Sequence, residues 1–171
     1  GLLPSEPSCF AAEDADASNG SAIVTRDPLC LPGWSEADGS CFLFNSTGTS
    51  FAEADEVCKA MTASVFDSRV ATISSIAMNH LVSELVGNNS EVYIGLKFQG
   101  FGGWSEGYGS LEWVSGFQLN FEADWAFAVK PDRVGRCTRI FGKHSSHPRA
   151  WDDHDCDFAS QGFVCSYVPM I

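Results

Sequence analysis

Apolar positions follow a helical spacing in two stretches of this chain and otherwise gather in short runs separated by turn residues. Ser50-Phe51-Ala52-Glu53 has the form of a capping box: the hydroxyl accepts from an orphan amide while the Glu reaches back to the cap amide. Ala54, Val57, Cys58 and Met61 follow at i, i+3, i+4 and i+7, which predicts a helix with Cys58 on its inner face. A second helix is predicted from Ser74 or Ser75, with Met78, Leu81, Val82 and Leu85 inward and Gly87 just past its end. The short apolar runs read as strands: Cys41-Phe42-Leu43-Phe44, Val92-Tyr93-Ile94-Gly95-Leu96, Leu111-Glu112-Trp113-Val114, Cys137-Thr138-Arg139-Ile140-Phe141 and Phe163-Val164-Cys165-Ser166-Tyr167. Two helices in the first half with strands gathered after them indicate an α+β fold.

The intervening segments carry no clean period. Gln99 to Gly109 is rich in Gly, and Asn120 to Arg136 and Gly142 to Arg149 are irregular. Loops of this length need support from outside themselves, usually disulfides or a bound ion. Residues up to about Pro28 are small and acidic apart from Ala22-Ile23-Val24, so residues 1–29 read as an N-terminal extension carrying at most one strand. Residues 30–171 read as the main domain, opening at Cys30-Leu31-Pro32-Gly33-Trp34. Glu13, Asp14 and Asp16 read as part of a solvated acidic tail.

Charge and cysteine content narrow the setting. The 171 residues hold 22 Asp and Glu against 10 Lys and Arg, a net charge of −12. Such a molecule repels phosphate backbones and, without a local basic patch, anionic membranes, so nucleic acid is excluded as the expected partner. No apolar run approaches the roughly 20 residues of a membrane helix, and the N-terminus lacks the zones of a signal peptide, so a mature soluble product is expected. The seven cysteines, Cys9, Cys30, Cys41, Cys58, Cys137, Cys156 and Cys165, include no Cys-x-x-Cys pair, which favours an oxidising compartment over a zinc or redox site. Asn19-Gly20-Ser21, Asn45-Ser46-Thr47 and Asn88-Asn89-Ser90 match the N-glycosylation acceptor pattern, in keeping with a secreted glycoprotein.

The segment Trp151-Asp152-Asp153-His154-Asp155-Cys156, ending in Gly162-Phe163-Val164-Cys165, resembles the signature of C-type-lectin-like domains. Tyr93-Ile94-Gly95-Leu96 is similar to that family's WIGL strand, Leu111 to Gly116 to its following Trp-containing strand, and Asp124-Trp125 to its loop Asn-Trp. The pieces occur in the family's order from about Cys30 to Tyr167. Spacing alone leaves many cysteine pairings open. The resemblance implies one of them, Cys30–Cys41, Cys58–Cys165 and Cys137–Cys156, in the long form with an N-terminal hairpin. It also implies two helices packed on small antiparallel sheets around a long irregular loop. Cys9 is then left over, either for an interchain bridge to a homo- or hetero-oligomer or as an inert thiol.

The resemblance further implies a Ca²⁺ site in the long loop through which relatives bind sugar. Ca²⁺ takes 6–8 oxygen ligands, so the site needs many carboxylates and carbonyls. Carried over, its residues fall on Lys130-Pro131-Asp132, with Pro131 where relatives hold a cis bond, and on Asp152 and Asp153. Asp132, Asp152 and Asp153 retain carboxylates for the ion. Lys130 departs from the pattern, because an ammonium cannot ligate Ca²⁺ and repels it. The acid usual just before the loop cysteine is also missing, since Gly135 and Arg136 precede Cys137. Lys130 paired with Asp152 or Asp153 would replace the ion; alternatively these acids only form turns.

Two further groups have alternative readings. His144, His147 and His154 lie near several acids and read either as zinc ligands or as solvated loop residues. Phe98, Phe101, Trp104 and Tyr108 either cap the core or form a contact patch. No Gly-x-Ser-x-Gly elbow or His-Glu-x-x-His helix occurs, so no enzyme is expected. The expected function is extracellular recognition: a lectin binding glycans or glycoproteins through the long loop, with Ca²⁺, or a Ca²⁺-independent interaction or assembly module of the extracellular matrix or a covalent oligomer.

Overall fold

The computed structural model describes residues 29–100, 109–127 and 136–169. Cys9, Asn19, the Ala22–Val24 strand and the rest of the extension up to Pro28 lie outside those residues, as do Phe101, Trp104, Tyr108, Lys130, Pro131, Asp132 and Gly135.

Helix α1 spans Phe51–Ala60 and α2 spans Ile76–Val86. At α1 the capping box forms in both directions: Ser50 Oγ accepts from the Glu53 amide and Glu53 Oε1 accepts from the Ser50 amide. At α2, Ser75 Oγ accepts from the Met78 amide at 3.2 Å, and the helix closes at Gly87 with a φ of 72°. The buried stripe of α1 is Phe51, Ala54, Asp55 and Cys58, and Val57 faces solvent instead of the core. The stripe turns because Asp55 is satisfied where it is buried: it accepts from Arg69 Nη2 at 2.6 Å and from the Val70 amide at 3.1 Å. In α2, Met78 and Val82 are buried as expected; Val86 joins them, while Leu81 and Leu85 are only partly covered.

The strands are β1 (Ser35–Ala37), β2 (Ser40–Asn45), β3 (Arg69–Val70), β4 (Val92–Gly100), β5 (Gly109–Trp113), β6 (Arg136–Ile140), β7 (Trp151–Asp155) and β8 (Gly162–Tyr167). Among the described residues they join into one mixed sheet in the order β1-β2-β8-β4-β6-β7, with β3 on β8 and β5 on β4. All pairings are antiparallel except β4 with β8. Asp38-Gly39 turns β1 into β2 with positive φ at both residues, 48° and 84°, the conformation of a two-residue hairpin turn that matches strand twist. Gly95 lies so close to the carbonyls of Val70 and Ala71 that a Cβ there would collide with backbone; its amide donates to Ala71 O at 2.8 Å.

The structure closes three disulfides, Cys30–Cys41, Cys58–Cys165 and Cys137–Cys156. The second ties α1 to β8 across a sequence separation of 107, a loop whose closure in the unfolded chain is worth about 4–5 kcal/mol by the chain-entropy account. One apolar cluster lies between α2 and the sheet, around Trp113, Trp151, Ile94 and Val82; a second surrounds Cys58–Cys165 with Phe51, Tyr93 and Phe163.

Candidate functional site

The Trp151–Asp155 segment, read from the sequence as a motif without an assigned element, is the strand β7, and the residues on either side of it explain its position. Trp151 is fully buried, and its indole Nε1 donates to Asn79 Oδ1 on α2 at 2.9 Å. Asn79 in turn donates to the Arg149 carbonyl at 2.9 Å. The rings of Trp113, Phe121 and Trp125 meet Trp151 edge to face, with centroids 5.7–6.0 Å apart. The Asp124-Trp125 piece is held to the same strand: Trp151 N–H donates to Asp124 O and Ala126 N–H to Trp151 O. The loop that follows β5 is thereby fastened onto β7.

β6 and β7 form an antiparallel ribbon in which Arg139 lies opposite Asp152 and Thr138 opposite Asp153. Cys137–Cys156 closes one end. Arg139 Nη2 stands 2.7 Å from Asp152 Oδ2 and its Nε donates to the same oxygen at 3.2 Å. Its Nη1 reaches the Ser90 carbonyl and Glu91 Oε2, at 3.3 and 3.8 Å. Arg136 Nε donates to Asp153 Oδ2 at 3.2 Å. Asp152 and Asp153 are thus each neutralised by a guanidinium from the neighbouring strand.

Each of these carboxylates gives its Oδ2 to a guanidinium, one of them at the position directly before Cys137, and a Ca²⁺ ion, which takes 6–8 oxygens, would compete with both cations for them. No group of three or more His, Cys, Asp or Glu among the described residues is placed to hold a metal. The sequence offered Lys130 as the cation that stands in for the ion; Lys130 and Asp132 lie outside the described residues, and the partners that face Asp152 and Asp153 are Arg139 and Arg136. These two were missed because their role depends on strand register. The Cys137–Cys156 pairing brings the two segments side by side but does not set their alignment, in which Cys137 lies opposite His154 and Arg139 opposite Asp152.

The histidines divide. His144 is exposed. His147 packs 4.8 Å from the ring of Phe127 and 5.1 Å from Phe141, and Phe141 also lies under Arg139 at 4.7 Å. Phe127 is 54 % exposed and so projects an aromatic edge from this face. His154 is buried on β7 between Tyr93 and Phe158, contrary to a solvated loop position, because strand alternation turns it inward beside the second apolar cluster. Burial, reinforced by the charge of Arg139, holds its pKa below the ordinary histidine value, and its Nε2 has no hydrogen-bond partner among the described residues. Of the sequons, Asn45 closes β2 and accepts from the Thr47 amide, and Asn88 is exposed beyond α2. Phe98 is partly buried on β4. No helix among the described residues is long and apolar enough to cross a membrane.

Comparison with known proteins adds three findings. The family model for the lectin C-type domain matches residues 47–167. The snaclec agglucetin subunit alpha-1 of Deinagkistrodon acutus is 27 % identical over 146 residues, covering 84 % of this chain and 85 % of that one. Among solved structures, ovocleidin-17 of the Gallus gallus eggshell calcified layer superposes with a TM-score of 0.62 at 27 % identity, over 81 % of this chain and 99 % of that one. The carbohydrate-recognition domain of the mouse scavenger receptor C-type lectin superposes with a TM-score of 0.61 at 20 % identity, over 83 % of this chain and 98 % of that one.

Proposed function

The chain belongs to the family of C-type lectin domains, and from that premise we propose that it is an extracellular recognition module that binds without Ca²⁺ and catalyses nothing. The observation that carries this reading is the pairing of Asp152 with Arg139 and of Asp153 with Arg136. Fixed guanidiniums satisfy the carboxylates that a metal would otherwise use, so the ribbon holds its shape with no ion. Beside the Arg139–Asp152 pair stands a surface suited to a macromolecule: an exposed aromatic edge at Phe127 backed by His147 and by Phe141, over which the Arg139 guanidinium lies. Lys130, Pro131 and Asp132, between Phe127 and β6, complete the contact surface in this proposal.

A protein or glycoprotein partner is the favoured ligand class. A relative named as a subunit supports a role in assemblies, and Cys9 in the extension 1–29 supplies a thiol for an interchain bridge once the domain's own six cysteines are paired. Secretion and modification at Asn19, Asn45 and Asn88 accord with the three disulfides. The test is calorimetric titration of the chelator-treated protein with CaCl₂ to millimolar concentration. No saturable heat and an unchanged melting temperature are expected; saturable heat that vanishes in Asp152→Asn and Asp153→Asn would overturn the reading in favour of a Ca²⁺-dependent lectin.

A further inference from the structure

Residues 1–28 precede the described part of the chain, and two contacts fix where they join the domain. Cys30 is bonded to Cys41 with their Cα atoms 5.6 Å apart, and the Leu31 amide donates to the Tyr167 hydroxyl at 2.8 Å. Ser40, next to Cys41, and Tyr167 both line a hollow of about 400 Å³ between the start of β2, the end of β8 and the turn after β5. The extension therefore meets the domain beside that hollow. It does so on the β2–β8 side of the sheet, separated from β7 by β4 and β6, so the ribbon face is not involved.

The hollow leaves apolar surface in water. Phe117 and Val168 in its lining are 48 % and 67 % exposed. Between them Tyr167 makes a fixed wall, stacked on Phe66 with centroids 4.5 Å apart and edged by Trp34 at 4.8 Å. Asp67 is the one charged side chain in the lining. It interacts electrostatically with Arg69, whose guanidinium is itself bonded to Asp55 through Nε and Nη2. The neighbouring Lys59 is matched by Glu56. Asp55 and Asp67 thus outweigh Arg69 by one negative charge, and a second cation arriving at Asp67 meets a net attraction.

The extension carries a complement to this surface. Its 28 residues hold five acids, Glu6, Glu13, Asp14, Asp16 and Asp27, and a single cation, Arg26. Arg26 follows directly on Ala22-Ile23-Val24-Thr25, the apolar run nearest the domain; Leu2-Leu3 and Phe10 stand further out and have no cation beside them. Arg26 precedes the Cys30 anchor by four residues and Ile23 by seven, so fully extended chain carries them up to about 14 Å and about 25 Å from it. Both distances reach across the hollow. We propose that residues 22–26 of this chain occupy it: Ile23 and Val24 cover Phe117 and Val168, and the Arg26 guanidinium pairs with Asp67. A tethered segment is present at a local concentration on the order of millimolar, so a small apolar contact and one ion pair keep it seated. Seated there, it fixes the point from which the stretch bearing Cys9 departs.

The test is NMR on the isotope-labelled full chain. Nuclear Overhauser contacts are expected between the methyl groups of Ile23 and Val24 and the ring of Phe117, and mixing labelled with unlabelled protein should show that they arise within one molecule. Arg26→Glu and Asp67→Lys are each expected to weaken these contacts and to shift the amides of Ser115, Gly116 and Phe117. The double variant, in which the two charges are exchanged, should restore both signals towards the parent. Asp67 is exposed, so its replacement leaves the fold standing. The proposal is overturned if the parent shows no such contacts, if they form only between molecules, which would make a second copy the occupant, if both single variants leave them unchanged, or if the double variant is no closer to the parent than the singles.

Discussion

Arg139 and Asp152 face each other as direct partners across β6 and β7, with Nη2 2.7 Å from Oδ2 and both side chains largely withdrawn from water. Removing one member leaves a buried charge without its counter-ion, which is the costly way to break such a pair. Arg139→Gln is expected to lower stability by about 3 kcal/mol, and the double variant Arg139→Gln with Asp152→Asn to lose clearly less. Urea unfolding of the four members of the cycle measures this; additive losses would show that the two residues are not coupled.

Arg136 occupies the position before Cys137 and holds Asp153. Arg136→Glu removes that cation and adds a second acid beside a freed Asp153. It is expected to introduce a Ca²⁺-dependent rise in melting temperature where the parent has none, because opposed carboxylates repel until a cation lies between them. Differential scanning calorimetry with and without millimolar CaCl₂ reads the outcome, and equal curves for the variant would refute it.

His154 links stability to pH. Its folded-state pKa is depressed below the ordinary value of 6.5, first by burial and then by Arg139. The unfolded chain therefore takes up a proton at a higher pH than the folded one. This contribution to stability is fully present above about pH 6.5 and is lost as the pH falls through that value towards the depressed folded pKa. Midpoints of urea unfolding at pH 7.5 and at about pH 5 should differ, and His154→Phe should reduce the difference. An identical pH response in the variant would assign the effect to other groups.

Trp151 and Asn79 join β7 to α2 through one buried hydrogen bond. Trp151→Ala removes the ring on which Trp113, Phe121 and Trp125 converge and is expected to lose about 3–5 kcal/mol. Asn79→Ala leaves the indole N–H and the Arg149 carbonyl without their partner and is expected to lose about 1–3 kcal/mol. Guanidinium melts followed by Trp fluorescence separate the two.

Gly95→Ala is expected to prevent native packing between β4 and the Val70-Ala71 backbone, since a methyl group there meets two carbonyl oxygens that have no freedom to move aside. Loss of a cooperative unfolding transition is the expected observation; a variant as stable as the parent would contradict the close approach.

Local chemistry made part of this molecule readable in advance. The box at Ser50 and Glu53, the cap at Ser75 and the glycine ending α2 act within four residues of chain, so their pattern survives in one dimension. Val57 deceived because the inner face of α1 was decided by Arg69, a residue 14 positions from Asp55 whose guanidinium makes a buried acid acceptable. The same holds at the ribbon. Asp152 and Asp153 were identifiable as the residues of interest, yet their partners Arg139 and Arg136 follow only from how two strands align.

The span from Cys58 to Cys165 has one more consequence. It encloses both irregular loops and the whole ribbon between two covalently joined positions. A protease that cuts the backbone anywhere in that stretch produces two fragments that stay attached under non-reducing conditions. Cleavage in an exterior loop would therefore leave the body of the molecule in one piece, and only a reducing gel would reveal the nick.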